Sequence, residues 1–322
     1  MMIRVESKKI RPEDCKILAR ITSSAREKTP LESGKSIEEI AANIERNSSS
    51  DEVQILVARD DNGVILGWIS FYVGIPPMAF IDGFMPIVDS EYEPEKTALS
   101  LIEAAKRDIV GRGYTRIEIE MKLQTNAHRA LSKEFVDWYE KCDFQFAAEE
   151  AHMCSNLTSL SLPSLRPPKN CILRRLSEVS YEQLERAGFQ AFENSKDDLF
   201  HSESHAEQEV ELKHFFDVSR PFIESASLIL ERDGKIVGFV ITRMRDNDAE
   251  IGPVGLIPEA RGQGLASYLL AYALKSLRSN GLKSATLDMS IANLPARILY
   301  KKYGFEEMYY QQFYFWSPDI SK

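Results

Sequence analysis

The stretch 249–266, AEIGPVGLIPEARGQGLA, limits this chain more than any other. It starts with an apolar run, 251–257, set off by Asp248 and Glu250 before it and Pro258 after it. A run of that length reads as a buried strand. Pro258 ends the strand, because proline has no N–H to give to a sheet ladder. A short loop follows, with Gly262 and Gly264, and then a helix showing Leu265, Leu269, Tyr272 and Ser276 on one face. Strand, glycine-bearing loop and helix start together make an anion site. Unpaired amides and the positive end of the helix dipole meet there. Arg261 adds a fixed charge. The loop is expected to hold a pyrophosphate on the backbone amides of about Gly262 to Ala266, Gln263 and Leu265 included.

At 322 residues the chain has length for two domains of ordinary size. With 43% hydrophobic and 28% charged residues it reads as a globular protein with a real core. A net charge of −9 argues against binding a nucleic-acid backbone and suits an amine-bearing substrate. Cys15, Cys142, Cys154 and Cys171 form no C-x-x-C pair, so neither a zinc ribbon nor a redox motif is expected. The N-terminus has no signal-type apolar segment and no run approaches membrane-spanning length, so a cytoplasmic protein without a membrane partner, monomer or homodimer, is the expectation.

The order of elements repeats. Strands are expected over 53–59, 64–73, 78–86 and 115–121, with helices over 12–28, 36–47, 95–111 and 128–141. In the second half strands fall at 171–176, 227–232, 236–243, 250–257 and 285–289, with helices at 181–194, 207–218, 265–280 and 294–303. A pair of aromatic-rich strands closes the chain. Gly113-x7-Met121 recurs 168 residues on as Gly281-x7-Met289. Trp138 to Phe144 likewise matches Leu299 to Phe305, and Asn126 matches Asn293. This supports a duplication into domains 1–157 and 170–322. The linker 158–169 is marked by Pro163, Pro167 and Pro168 with serines nearby. The copies differ at the loop. Where the second has Arg261, Gly262 and Gly264, the first has Asp89, Glu91, Glu93 and Glu95. Carboxylates there satisfy the helix dipole themselves and repel a diphosphate.

Neither the G-x-G-x-x-G fingerprint nor a phosphate loop ending in Gly-Lys-Ser/Thr is present. Instead Leu256-Ile257-Pro258 is followed by Arg261-x-x-Gly264-x-Ala266, and further on by Asn293-x-x-Ala296-x-x-x-Tyr300-x-x-x-Gly304-Phe305. These two elements resemble the acetyl-CoA loop and the following helix of the GNAT N-acetyltransferase superfamily. The layout is similar to its tandem type with a degenerate N-terminal copy. The resemblance implies an α/β (α+β) fold of two tandem GNAT-like domains, each a mixed, mostly antiparallel sheet flanked by helices. It implies acetyl transfer from acetyl-CoA to a primary amine, on a small molecule or peptide, by direct attack. Tyr300 is then the acid that protonates the departing thiolate, or else a packed tyrosine. The base is Glu250, with Asp288 and Ser290 as competitors. The Leu256 N–H meets the acetyl carbonyl, freed by a bulge around Gly252, Pro253 and Gly255. Ala296 lets the pantetheine pass. Asn293 bonds the coenzyme or caps its helix.

Two features carry other chemistries. His201 and His205 have a zinc-compatible spacing, but H-E-x-x-H is not matched and no metal is expected. Tyr309, Tyr310, Phe313, Tyr314, Phe315 and Trp316 lack interleaved basic residues and read as core strands rather than a base-stacking surface. A coenzyme-binding module without turnover, and a donor other than acetyl-CoA, remain as alternatives.

Overall fold

Each half of the chain builds a parallel strand pair around one long amphipathic helix. The computed structural model describes residues 2–7, 10–27, 34–74, 76–163, 166, 168–245 and 248–318. It divides into two compact units, 1–147 with 311–322, and 148–310. The expected cut lay in the proline-rich segment, of which 164, 165 and 167 lie outside the described residues. The division instead falls before Ala148, and the chain's last stretch belongs to the first unit.

In the first unit, β1 (Arg4–Glu6), β2 (Val53–Arg59), β3 (Ile65–Val73) and β4 (Met78–Asp82) pair antiparallel in sequence. The short β5 (Ile87–Val88) pairs with β3. β4 then pairs parallel with β6 (Arg116–Leu123). Around them lie α1 (Pro12–Glu27), α2 (Ile37–Ser48), α3 (Pro94–Gly111) and α4 (Asn126–Lys141). α2 starts at a capping box, Ser36 accepting from the Glu39 N–H while Glu39 accepts from that of Ser36. α3 buries Leu101, Ile102, Ala105 and Ile109 completely.

In the second unit the order is β7 (Gln145–Asn156), β12 (Ser284–Ser290), β11 (Asp248–Leu256), β10 (Lys235–Arg245), β9 (Leu228–Arg232) and β8 (Cys171–Arg175). Only the β11–β12 pair among these is parallel. One face is covered by α8 (Leu265–Ser279) and α9 (Leu294–Lys302), whose Leu269, Leu270, Leu274, Leu277 and Tyr300 pack on Ala249, Ile251, Ala285, Leu287, Met289, Ala151 and Met153. The opposite face receives α5 (Tyr181–Phe192), α6 (Asp198–His201) and α7 (His205–Phe216) against Ile229, Phe239 and Ile241. The strands of each unit are therefore mixed, mostly antiparallel and flanked by helices, as expected.

The closing aromatics form one eleven-residue strand, β13 (Glu306–Trp316), rather than the expected pair. Its end lies in the first unit, where Trp316 is buried beneath Lys106 and Tyr314 lies near the Tyr139 ring. β1 and β7 were not among the expected strands. β7 alternates too weakly between apolar and polar residues to stand out.

Candidate active site

The site grows from a disagreement between neighbouring strands. β12 follows β7 over its whole length, from Ser284↔Asn156 to Ser290↔Glu150. β11 follows β10 to Gly238↔Leu256. Between β11 and β12 the described pairing is confined to Ala249↔Ala285 and Glu250↔Thr286. Beyond Glu250 the two strands part, leaving a wedge along β11. The point of parting holds a bulge, because Gly252 and Pro253 together face the single residue Ile241. A Cβ placed on Gly252 would meet nothing within 4 Å.

Register decides which amides line the wedge. Ile257 N–H donates to the Val237 carbonyl (3.2 Å), so that pair is a hydrogen-bonded one. Pairs alternate along an antiparallel ladder, so Leu256 opposite Gly238 and Val254 opposite Val240 turn their N–H groups away from β10, towards the wedge. The Leu256 amide is thus turned away from β10, the orientation that its expected role needs. Val254 shares that orientation, which the sequence pattern did not single out. Gly255 is needed for a neighbouring reason: its Cβ would sit 2.3 Å from the ring of Phe239.

The strand runs into a 3₁₀ turn, Pro258–Ala260, and then the loop. Gly262 (φ 72°) and Gly264 (φ 77°) take left-handed conformations with open space where a side chain would be. Gly264 caps α8 without a side-chain bond, and the amides of Gly262 to Ser267 donate to no backbone carbonyl among the described residues. Gln263 braces the turn, donating to the Glu259 carbonyl (2.7 Å) and accepting from Arg232 (2.7 Å). Leu265 is buried and anchors the helix, with Ala266 next to it half-buried.

Arg261 behaves differently from expectation. Its guanidinium donates to the carbonyls of Leu256 (3.2 Å), Asn194 (2.7 Å) and Ala191 (2.8 Å). It satisfies the open C-terminal end of α5 and ties it to the end of β11. A cation that does reach the first turn of α8 is Lys302, whose Nζ donates to Ser267 Oγ (3.3 Å).

Asn293 caps α9, its Oδ1 accepting from the Ala296 N–H (3.2 Å), which fits the capping one of its two expected roles. Ala296 is half-buried in the first turn. Tyr300 is 7% exposed, packs edge-on to Phe305, and its hydroxyl has no hydrogen-bond partner among the described residues. Burial, and then the charge of Asp197, push its pKa well above that of a free phenol. The hydroxyl therefore stays protonated at neutral pH, as an acid must before it acts. Asp197 itself caps α6 through the Phe200 N–H (3.1 Å), and burial raises its pKa.

On the face opposite α8 and α9 lies a polar group. Glu250 is bound by Arg245 (Nη1 to Oε1, 2.8 Å), and this carboxylate is the main cause of that guanidinium's raised pKa. Asp288 accepts from His152 Nδ1 at 2.7 Å, and the imidazole stacks on Tyr309 with centroids 4.6 Å apart. Ser290 Oγ accepts from the Ala292 N–H (3.3 Å), a turn contact and not a base's position. His201 ends α6 while His205 begins α7, so their spacing does not put them on one helical face. Among the described residues no cluster of three or more metal-ligating side chains occurs, and no helix is long and apolar enough to cross a membrane.

Residues 190–305 match the family described as Acetyltransferase (GNAT). This part of the chain is similar to GNAT acetyltransferases. The mycothiol acetyltransferase of Thermomonospora curvata is 38% identical over 89 residues, which is 27% of this chain and 30% of that relative. The chain thus matches under a third of that relative's length. A GCN5-related N-acetyltransferase from Sphaerobacter thermophilus superposes with a TM-score of 0.59 at 15% identity, covering 98% of this chain and 95% of that one. A tandem GNAT protein from the clavulanic acid biosynthesis pathway does so with 0.52 at 13%, covering 98% of both. At such identities these two establish likeness of fold over both units. The GNAT match takes in the wedge, the loop and α9. His152 lies outside it.

Proposed function

We propose that residues 148–310 transfer an acetyl group from acetyl-CoA to a primary amine by direct attack. The observation that carries this reading is the wedge itself. Edge amides at Val254 and Leu256 lead into a glycine loop whose own amides donate to no backbone carbonyl among the described residues. Six successive N–H groups with space above two glycines fit a diphosphate, and Lys302 adds the charge that Arg261 spends elsewhere. Ile257 and Pro258 shape the entry to that loop, and Ala296 leaves room beside α9.

In this reading the wedge amides donate to the acetyl carbonyl as negative charge grows on it. The amine must lose a proton before it can attack. Tyr300 gives its proton to the departing thiolate, whose charge offsets the cost that burial adds to that transfer. Glu250 precedes Leu256 by six residues, about 20 Å along an extended strand. If Glu250 serves as base for a carbonyl held there, it acts through water. The Val254 amide lies nearer to it than that of Leu256.

The acceptor is an amine on a small molecule or peptide, and the family match and a mycothiol acetyltransferase relative support the acyl transfer. The first unit is a scaffold without a coenzyme site, since Pro94 and the carboxylates of Glu93 and Glu95 stand at the start of α3. The test is calorimetry with acetyl-CoA, then a panel of amines scored by free thiol release. One molecule bound per chain and thiol release that depends on the amine are expected. Absence of binding, or a soaked crystal with the coenzyme in the first unit alone, overturns the reading.

A further inference from the structure

We propose that His152, oriented by Asp288, is the base that takes the proton from the attacking amine. This rests on the acetyltransferase reading of the same site. Three observations lead to it. First, the carboxylate of Glu250 is engaged by the guanidinium of Arg245 at 2.8 Å. A carboxylate held in an ion pair has a lone pair already committed, and taking up a proton breaks that pair.

Second, His152 has the arrangement a base needs. An ionised carboxylate can only accept, so the 2.7 Å contact with Asp288 Oδ1 makes Nδ1 the donor. The other ring nitrogen, Nε2, then carries the lone pair, and no described residue takes it. Asp288 stabilises the imidazolium once formed, and the stack on Tyr309 (4.6 Å, 16° between planes) holds the ring in place. This is the base-plus-orienting-carboxylate pattern of nucleophile-activating sites.

Third, the register puts the pair at the right level. His152 faces Asp288 across β7 and β12, and Glu250 faces Thr286 across β11 and β12. Residues 286 and 288 share a face with Glu250. Asp288 therefore stands two residues, about 7 Å, further along than Glu250, level with the point where β11 leaves β12. Measured along the strand direction, it is nearer than Glu250 to the level of the wedge amides. The charged and titratable groups around the ring are Asp288, Tyr309, Arg245 with Glu250, and on β7 itself Glu150 and Cys154. The Cys154 thiol is pushed up by burial, then by Asp248 and Glu306, and stays neutral.

The step balances. The ammonium gives one proton to His152 Nε2, and the freed lone pair forms the N–C bond as the C–S bond breaks. Tyr300 hands its proton to the thiolate and recovers one from the new amide nitrogen through water. The proton on His152 passes to solvent, so one proton is released for each amide formed.

The experiment is a pH–rate profile of wild type, His152→Gln, Asp288→Asn and Glu250→Gln, with acetyl-CoA affinity measured in parallel. His152→Gln is expected to lower kcat about 100-fold and to remove the acidic limb of kcat/KM, with acetyl-CoA affinity within about twofold. Imidazole should partly restore His152→Ala. Asp288→Asn should lower kcat about tenfold and move the acidic limb, a shift that loss of packing does not produce. Glu250→Gln should lower kcat clearly less than His152→Gln, by about tenfold or under, and keep the acidic limb. If Glu250→Gln costs as much as His152→Gln or more, or the limb survives in His152→Gln, the proposal is overturned. Should a His152 variant fail to bind acetyl-CoA, the limb in Asp288→Asn decides. A wild type that binds no acetyl-CoA, or releases no thiol with any amine, refutes the acetyltransferase reading instead.

Discussion

The two halves place a tyrosine at the same point of the same pattern, and the two side chains do opposite things. Tyr139, the counterpart of Tyr300, is fully buried, and its hydroxyl lies 2.9 Å from the Gly83 carbonyl and 2.5 Å from that of Met85. It donates into the gap between β4 and β6. Those strands stay together for five residues, from Met78↔Arg116 to Asp82↔Glu120, and Gly83 N–H then donates to the Glu120 carbonyl. They run so close that a Cβ on Gly83 would lie 2.4 Å from Met121 Cα. In the second unit the matching strands part after Glu250, Gly252 has open space, and the Tyr300 hydroxyl has no described partner. The loops differ in the same sense. Pro94 and the left-handed Glu93 open α3, with Lys96 bound to Glu93 at 3.0 Å and Lys141 to Glu95 at 2.6 Å. Proline removes an amide and carboxylates occupy the helix start. In one copy the wedge is closed by the chain's own backbone; in the other it stays open.

The sharpest way to break this comparison is to remove both hydroxyls separately. Tyr300→Phe is expected to lower kcat about 100-fold in thiol release while acetyl-CoA affinity stays within about threefold. Tyr139→Phe should leave kcat unchanged and cost about 1–3 kcal/mol in urea unfolding, since it takes away the donor from two buried carbonyls. Equal kinetic effects from the two would end the distinction.

A methyl group probes the strands directly. Gly83→Ala should destabilise by about 2–3 kcal/mol, because strand backbone must shift to admit it. Gly252→Ala should change unfolding by less than about 0.5 kcal/mol. A similar cost at both positions would mean that the wedge is no more open than its counterpart.

At the loop, Gly264→Val forces a branched residue to φ 77° and should weaken acetyl-CoA binding about tenfold by calorimetry, through strain of about 1–2 kcal/mol. Unchanged affinity would show that the left-handed turn is not needed for the coenzyme.

The smallest effect concerns the support of α9. Arg297 foremost, then Tyr310 and Lys301, hold Glu307 down to about 2. A carboxylate with a lowered pKa stabilises the fold above its ordinary value, about 4.3, and loses that contribution as pH falls towards 2. Glu307→Gln should therefore lower the urea midpoint at pH 7, with the gap to wild type narrowing between pH 4.5 and 2. A gap independent of pH would point to packing instead.

Much of the site was legible because it is local. The apolar run, Pro258, Gly262, Gly264 and the helix beyond occupy eighteen consecutive residues, and backbone sterics alone require glycine at the two left-handed positions. Asn293 as a cap, the bulge at Gly252 and Pro253, and the repeated helix–strand passages follow from the same short-range rules. Arg261 lies beyond that local reach: a charge beside a phosphate-type loop suggests a ligand, while in the fold it also binds carbonyls about seventy residues away. Tertiary structure alone decided whether a wedge is open or closed, which strand edge keeps its amides, and that His152 meets Asp288 across 136 residues of chain. Such facts depend on register between strands distant in sequence. A pattern of residues states what each strand can pair with, and only packing selects the partner.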